Sequence, residues 1–231
     1  MSESVPMIDL QEVFKVYDMG DVDVPALDGV DFQMNRGEFV SLVGDSGSGK
    51  STMLHIVGGL DKPTGGKYYL EGNEVLQLRD RELSRIRNRH FGFVFQAYNL
   101  ISNLTAQENV EQPLIYAGLT KRQRTAKAKR TLEKVGLEAR SKHLPGQLSG
   151  GQQQRIAIAR ALVNDPTLIM ADEPTGNLNT EAGNLILDIL SSLHEEGVSI
   201  LMVTHSREIA NRADRRVELQ DGKIIGEEVL S

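Results

Sequence analysis

The chain has 231 residues, 26 basic against 32 acidic side chains, a formal net charge of −6 and no cysteine. That length suffices for one large domain, or one domain carrying an inserted subdomain, whose apolar core holds without disulfides or metals. The absence of thiols excludes a disulfide framework and thiol catalysis, and a mildly acidic chain lacks the broad positive field of a non-specific nucleic-acid binder. No run approaches the roughly 20 apolar residues needed to cross a bilayer, and Met1–Pro6 does not read as a secretory leader.

In chain order, Met7–Leu10, Glu12–Tyr17 and Val30–Met34 are rich in β-type residues and are expected as strands, with a turn over Asp18–Val24. Phe39–Val43 is a short unbroken apolar run, expected as a buried strand, and it leads into the glycine-rich Gly44–Gly49. A helix is expected over Lys50–Val57, a short strand over Lys67–Leu70, a polar helix over Asp80–Arg89 and a strand over Phe91–Phe95. Three further helices follow, Thr105–Ala117, Lys121–Val135 and Gly151–Val163, punctuated by Gly118, Gly136, Pro145 and Gly146. Strand and helix then alternate through Leu168–Ala171, Thr180–His194, Ser199–Val203, Ser206–Asn211, Arg216–Leu219 and Lys223–Glu228. This pattern predicts a single α/β domain, its core formed by about 1–95 and 155–231, with a helical insert at about 96–154.

The strongest chemical signal is Gly44-Asp45-Ser46-Gly47-Ser48-Gly49-Lys50-Ser51, a complete G-x-x-x-x-G-K-[ST]. With glycine at roughly 7% of residues, chance would produce it in about one chain in a hundred of this length. It also stands where its mechanism requires, after a strand and at the opening of a helix. Glycines let backbone N–H groups curl around phosphates, and the helix N-terminus adds a positive dipole end. Lys50 suits the phosphates as a point charge, and the Ser51 hydroxyl suits Mg²⁺. A second signal is Leu168–Glu173, an apolar strand ending in two carboxylates. At the C-terminal edge of an α/β sheet, Asp172 suits the metal side and Glu173 the activation of water as general base.

Leu148-Ser149-Gly150-Gly151-Gln152-Gln153-Gln154-Arg155 resembles the signature motif of ABC ATPases. The resemblance takes in essentially the whole chain, with the phosphate loop about a hundred residues upstream and the Asp-Glu strand shortly after. It implies a P-loop ATPase core of the RecA-like kind with an antiparallel β subdomain and a helical signature subdomain. It further implies ATP and Mg²⁺ as ligands and a homodimer in which the signature of one copy closes over the γ-phosphate held by the other. By the same resemblance Tyr17 stacks on adenine, and Thr52 follows the loop residues in nucleotide binding. Ser149, Gly150, Gly151 and Gln152 form the anion-binding start of the signature helix. Gln96 joins Ser51 and Asp172 around the metal and senses the attacking water, and His205 contacts the γ-phosphate. His55, His90, His143 and His194 match no motif and read as structural or solvated.

Two positions depart from the family pattern. Asn179 stands where relatives commonly carry aspartate, keeping the shape and losing the charge of a residue used across the dimer. Asp45 replaces a common proline, so its carboxylate is expected to point away from the phosphates. Pro174–Leu178 together with Leu54–Asp61 resembles the bacterial branch of macrolide-export, lipoprotein-release and division-linked ATPases. That branch implies a separate transmembrane subunit with a large external domain, reached through the helices near Gln96–Ala117, and a cytoplasmic location on the inner face of the membrane. The alternative, a soluble ABC ATPase acting on nucleic acid or ribosomes, has the basic cluster Lys121–Arg124, Lys127, Lys129 and Arg130 in its favour. It lacks the second cassette, long heptad run and positive charge usual there, so no nucleic acid is expected. The same cluster is also expected as a solvated helix face turned toward anionic headgroups.

Overall fold

The computed structural model describes residues 5–20 and 22–230. Residues 1–4, on which the absence of a leader partly rests, and Asp21 of the expected turn lie outside the described residues. The elements in order are β1 (Ile8–Asp18), β2 (Asp23–Met34), β3 (Phe39–Val43), α1 (Lys50–Val57), β4 (Gly65–Leu70), the two-residue β5 (Asn73–Glu74) and α2 (Asp80–His90). Next come β6 (Phe91–Phe95), α3 (Ala106–Tyr116), α4 (Lys121–Lys134), two short 3₁₀ turns, α5 (Gly150–Leu162) and β7 (Leu168–Asp172). The chain ends with α6 (Thr180–Glu195), β8 (Ser199–Val203), α7 (Arg207–Ala210), β9 (Arg215–Gln220) and β10 (Lys223–Val229). These elements gather into two compact units, one made of residues up to Ser84 and from Ser199 onward, the other of Arg85–Val198.

The first unit holds an antiparallel sheet in the order β2-β1-β4-β5 and the strands β10-β9-β3-β8, in which β3 runs parallel to both β9 and β8. β3 and β8 are buried along their whole length, which is why they read as continuous apolar runs rather than alternating ones. The two strands expected at Met7–Leu10 and Glu12–Tyr17 are one strand. Its register jumps between Leu10 and Val13, where Glu12 takes a left-handed φ of 47°. The Glu12 N–H donates to Asp31 Oδ1 at 2.8 Å, so the donor lost from the ladder is recovered at the bulge. Beneath this sheet the Tyr68 phenol is fully buried and donates to the Val57 carbonyl at 2.6 Å, while burial pushes its pKa up.

The second unit is built on the parallel pair β6–β7, with α5 lying on β6. A Cβ on Gly92 would come within 2.6 Å of the Ala161 carbonyl, so that strand position admits no side chain under the helix. α3, α4 and α5 pack on one another through buried Ala106, Val110 and Leu114, Ala128 and Leu132, and Ile156 and Ala159. α3 opens with a capping box between Thr105 and Glu108, as the Thr-x-x-Glu spacing dictates. Four of the seven α4 cations pair within this unit: Lys127 with Asp165 at 2.7 Å, Lys129 with Glu138 at 3.1 Å, Lys134 with Glu196 at 2.9 Å, and Arg124 near Glu111 at 3.7 Å. Each such exposed pair adds little stability.

Candidate active site

In the first unit β3 delivers the chain into the phosphate loop, and two glycines fix its path. A Cβ on Gly44 (φ 147°) would stand 2.1 Å from the Leu219 carbonyl oxygen, and one on Gly49 (φ 102°) 2.4 Å from that of Ala26. The loop is therefore seated against backbone at both ends, at positions no other residue fills. Gly49 caps α1 without a side chain, and the first turn carries no acidic residue. No side-chain cap therefore competes with an anion for the helix N-terminus. Lys50 is buried and donates to the Asp45 carbonyl at 2.6 Å and to the Ser48 hydroxyl at 3.3 Å. Its ammonium is thus held across the loop that a triphosphate would thread. Ser46, Gly47 and Ser51 are exposed, and so is Asp45, whose main-chain carbonyl serves Lys50.

Tyr17 stands at the end of β1 and is held by its hydroxyl, which donates to Asp61 Oδ2 at 2.8 Å and also bonds Thr52 on α1. Lys15 Nζ sits 4.7 Å from the centroid of the same ring and pairs with Asp61 Oδ1 at 2.7 Å. Burial, then the hydrogen bond to Asp61, raises the phenol pKa against the Thr52 bond, so the ring stays neutral and keeps its donor. Burial alone would lift the Asp61 carboxyl, but hydrogen bonds from Lys15, Tyr17 and the Lys62 N–H outweigh it and hold its pKa below the usual range. β3 and β8 are parallel with Leu42 opposite Val203, and Thr204 N–H donates to the Leu42 carbonyl at 3.1 Å. That register puts His205 at the same strand edge from which the phosphate loop leaves.

In the second unit Val94 pairs with Ala171 and Phe95 with Asp172, so Gln96 and Glu173 leave the same edge of β6 and β7. Glu173 has a φ of 47°, a left-handed conformation that a non-glycine residue holds only under constraint. The constraint is visible: Gly176 N–H closes a turn on the Glu173 carbonyl at 3.0 Å, and the buried Gln154 of α5 donates to the Pro174 carbonyl at 2.6 Å. Gln96 Nε2 donates to Asn177 Oδ1 at 3.2 Å while Asn177 Nδ2 donates to the Gln96 carbonyl at 3.0 Å. Ser149 is the N-cap of α5: its hydroxyl accepts from the Gln152 N–H, and the Gln152 side chain accepts from the Ser149 N–H at 3.0 Å. A serine that accepts through oxygen still has its own O–H to give. Beyond them, Gly150 lies beside the Tyr98 hydroxyl and the Leu178 side chain, and Gly151 beside Ala182 of α6. Asn179 caps α6, its Oδ1 accepting from the Ala182 N–H at 2.9 Å.

The first unit thus gathers Tyr17, Thr52, the Gly44–Ser51 loop and His205, and the second gathers Gln96, Asp172 and Glu173, with Ser149–Gln152 beside the loop that follows Glu173. Sequence reasoning missed Lys15, Asp61, Tyr98, Asn109, Arg160 and Asn177. Asn109 is fully buried and spends its carboxamide on the Ile101 N–H and carbonyl and on the Leu104 and Thr105 carbonyls. Arg160 donates to the carbonyls of Tyr98, at 2.9 Å, and of Asn99. Asp61 and Asn177 lay inside runs that mark the branch, so their presence was visible and their partners were not. Among the described residues no three His, Cys, Asp or Glu side chains gather as a dedicated metal site. The first unit offers the Ser51 hydroxyl as an oxygen donor, and the second offers the Gln96 amide and the Asp172 carboxylate, each of a chemical type that suits Mg²⁺.

Known proteins place this arrangement. The ABC transporter family matches residues 27–176. An ABC transporter ATP-binding protein of Thermotoga maritima is 54% identical over 220 residues, covering 95% of this chain and 94% of the relative. The macrolide export ATP-binding/permease protein MacB of Rhodospirillum rubrum is 50% identical over 220 residues, and there the chain spans 34% of the relative's length. Among solved structures, the dimeric bacterial ABC transporter cassette MJ0796 is 47% identical with a TM-score of 0.91, covering 97% of this chain and 99% of that one. Its post-hydrolysis dimer bound to ADP and Pi gives 46% and 0.90, over the same shares. The fold is therefore that of an ATP-binding cassette, and the chain belongs to the ABC transporter family.

Proposed function

We propose that two copies of this chain bind ATP between them and hydrolyse it to drive a membrane subunit of the macrolide-export and lipoprotein-release kind. The observation that carries the reading is the Gly44–Ser51 loop, wedged against backbone at Gly44 and Gly49 and crossed by the Lys50 ammonium. Tyr17, its hydroxyl fixed by Asp61 and Thr52, offers a ring to the adenine. The loop N–H groups and Lys50 hold the phosphates, and His205 reaches the γ-phosphate. Glu173 takes the proton of the attacking water as oxygen adds in line to the γ-phosphorus and the bond to the β-phosphate oxygen breaks. Ser51, Gln96 and Asp172 would hold Mg²⁺, whose charge would offset that developing on the phosphates. The start of α5, capped by Ser149, approaches the γ-phosphate of the other copy, so that hydrolysis releases the contact between copies. The helical segment 96–154 carries the movement to the membrane subunit, which holds the chain at the cytoplasmic face. Among the described residues no helix is long and apolar enough to cross a membrane itself.

The test is Glu173→Gln. It keeps the size of the side chain and loses the base, and removing a general base costs about 10²–10⁴-fold. Steady-state ATPase should fall by at least about a hundredfold while ATP binding persists and dimer accumulates on size exclusion. Undiminished turnover would remove Glu173 from the role. Capture of the ATP-trapped variant from detergent-solubilised membranes should bring down a subunit with few transmembrane helices and a large external domain. A many-helix permease in its place would refute the branch.

A further inference from the structure

The hydrogen bonds made by the exposed Gln96 and Asn177 favour one orientation of the Gln96 carboxamide. Asn177 Nδ2 donates to the Gln96 main-chain carbonyl at 3.0 Å. A carbonyl oxygen only accepts, so the nitrogen end of Asn177 must face it, and this turns Asn177 Oδ1 toward the Gln96 side chain. An amide oxygen also only accepts, so Gln96 must answer with Nε2, as it does at 3.2 Å. The fixed polarity of one backbone carbonyl thus passes through Asn177 and settles an orientation that is otherwise ambiguous. Gly176 makes room for it: a Cβ there would stand 2.6 Å from Gln96 Nε2 and 3.0 Å from Cδ.

We propose that Asn177 is a positioning residue that sets the rotation of the Gln96 carboxamide, committing Nε2 to the loop after Glu173 and leaving Oε1 as the end presented to the divalent cation. This rests on the reading of Gln96 as a ligand of Mg²⁺. A cation tolerates only the oxygen end of an amide, so an unlocked Gln96 would spend part of its time presenting the wrong group. It also links the Gln96 loop to the segment carrying Glu173 through side chains 81 residues apart in sequence.

Two variants break the lock by different routes. Asn177→Ala removes the partner, and Gly176→Ala pushes the mobile end of Gln96 off it without asking the backbone for a new conformation. The first measurement is the ¹⁵N side-chain amide of Gln96 in nucleotide-free protein, assigned by its loss in Gln96→Glu. It should be protected from solvent exchange in the wild type and unprotected in both variants. The second is the affinity of Mn²⁺, followed by electron paramagnetic resonance, for ATP-loaded Glu173→Gln protein. Loss of one hydrogen bond of ordinary strength predicts about fivefold weaker Mn²⁺ binding in each variant. Neither variant should weaken Mn²⁺ further once Gln96→Ala is present, an interdependence that a merely structural role would not give. Mn²⁺ affinity that falls in Gln96→Ala but not in Asn177→Ala or Gly176→Ala would overturn the orienting role alone. An affinity unmoved by Gln96→Ala would remove Gln96 from the metal, and the proposal with it. An unprotected Gln96 amide in the wild type would show that the lock does not form.

Discussion

Replacing Asp61 by alanine tests whether the cluster that fixes the Tyr17 ring supports nucleotide binding as well as stability. Its carboxylate accepts from Lys15 Nζ at 2.7 Å, from the Tyr17 hydroxyl at 2.8 Å and from the Lys62 N–H at 2.7 Å. The Lys15 side chain is 11% exposed and that of Asp61 29%, so the pair lies between a surface bridge and a buried one. Alanine leaves Lys15 with the Lys62 carbonyl at 2.8 Å and the Tyr17 ring. Three bonds to an ionised carboxylate are lost, and at this partial exposure they amount together to about 2–4 kcal/mol. At about 2–4 °C per kcal/mol for a chain of this size, that is a fall in Tm of roughly 5–15 °C. The freed Tyr17 ring should also lose part of the ~1–3 kcal/mol that stacking on a base contributes, weakening a fluorescent ATP analogue by about fivefold.

The sign of the pH dependence follows from the depressed Asp61 pKa. A carboxylate stabilised in the folded state contributes above its unfolded pKa and loses that contribution as pH falls through the folded value. Wild type and Asp61→Ala should therefore differ most in Tm at pH 7, and the difference should shrink as pH falls below about 4 and vanish only below the depressed folded value, since other carboxylates titrate alike in both. Thermal unfolding at pH 7 and pH 3.5, with nucleotide titration at pH 7, decides the matter. An equal Tm difference at both pH values, or unchanged nucleotide affinity, would refute the reasoning.

Gly49→Ala places a Cβ 2.4 Å from the Ala26 carbonyl at a φ of 102°, so nucleotide binding should be lost at a stability cost of at least about 2 kcal/mol, read by calorimetry and denaturant unfolding. Arg160→Met keeps the buried stem of α5 and removes both donors to Tyr98 and Asn99, which should raise hydrogen exchange across 97–105 while α5 itself stays protected. Asn179→Asp keeps the cap on the Ala182 N–H and adds a negative charge at the start of α6, so it should stabilise the fold by about 0.5 kcal/mol in denaturant unfolding, an effect screened by salt.

The regular elements were legible because each leaves a local trace. Phe39–Val43 and Lys50–Val57 are bounded by glycine or charge, Phe91–Phe95 and Ser199–Val203 are short runs rich in apolar residues, and the structure keeps all four limits. The alternation of strand and helix announced an α/β core, and the phosphate-loop spacing announced the binding loop. What the sequence could not disclose are partnerships across long separations. Tyr17 meets Asp61 44 residues away, and Gln96 meets Asn177 81 residues away. No periodicity reports such pairs. The bulge at Glu12 was hidden for a related reason, since its cause is a carboxylate on the neighbouring strand, Asp31. The left-handed backbone of Tyr98, Asn99 and Glu173 was equally invisible, because none is a glycine that would advertise it.

Those three residues explain why the second unit is built around α5. A left-handed conformation costs a non-glycine residue about 1–2 kcal/mol, so each must be held by its surroundings. Arg160 holds the carbonyls of Tyr98 and Asn99 from one end of α5, and Gln154, six positions earlier, holds the Pro174 carbonyl next to Glu173. Six residues of helix span about 9 Å, so one rigid rod carries both clamps. The same rod opens with Ser149 and the glycines of the signature. Asn109 locks the remainder of the Gln96 loop to α3, which packs on α5. The start of α5 is therefore joined to both loops through one helix. It reaches the Gln96 loop through Arg160 and the Glu173 loop through Gln154, and Asn177 ties those two loops to each other.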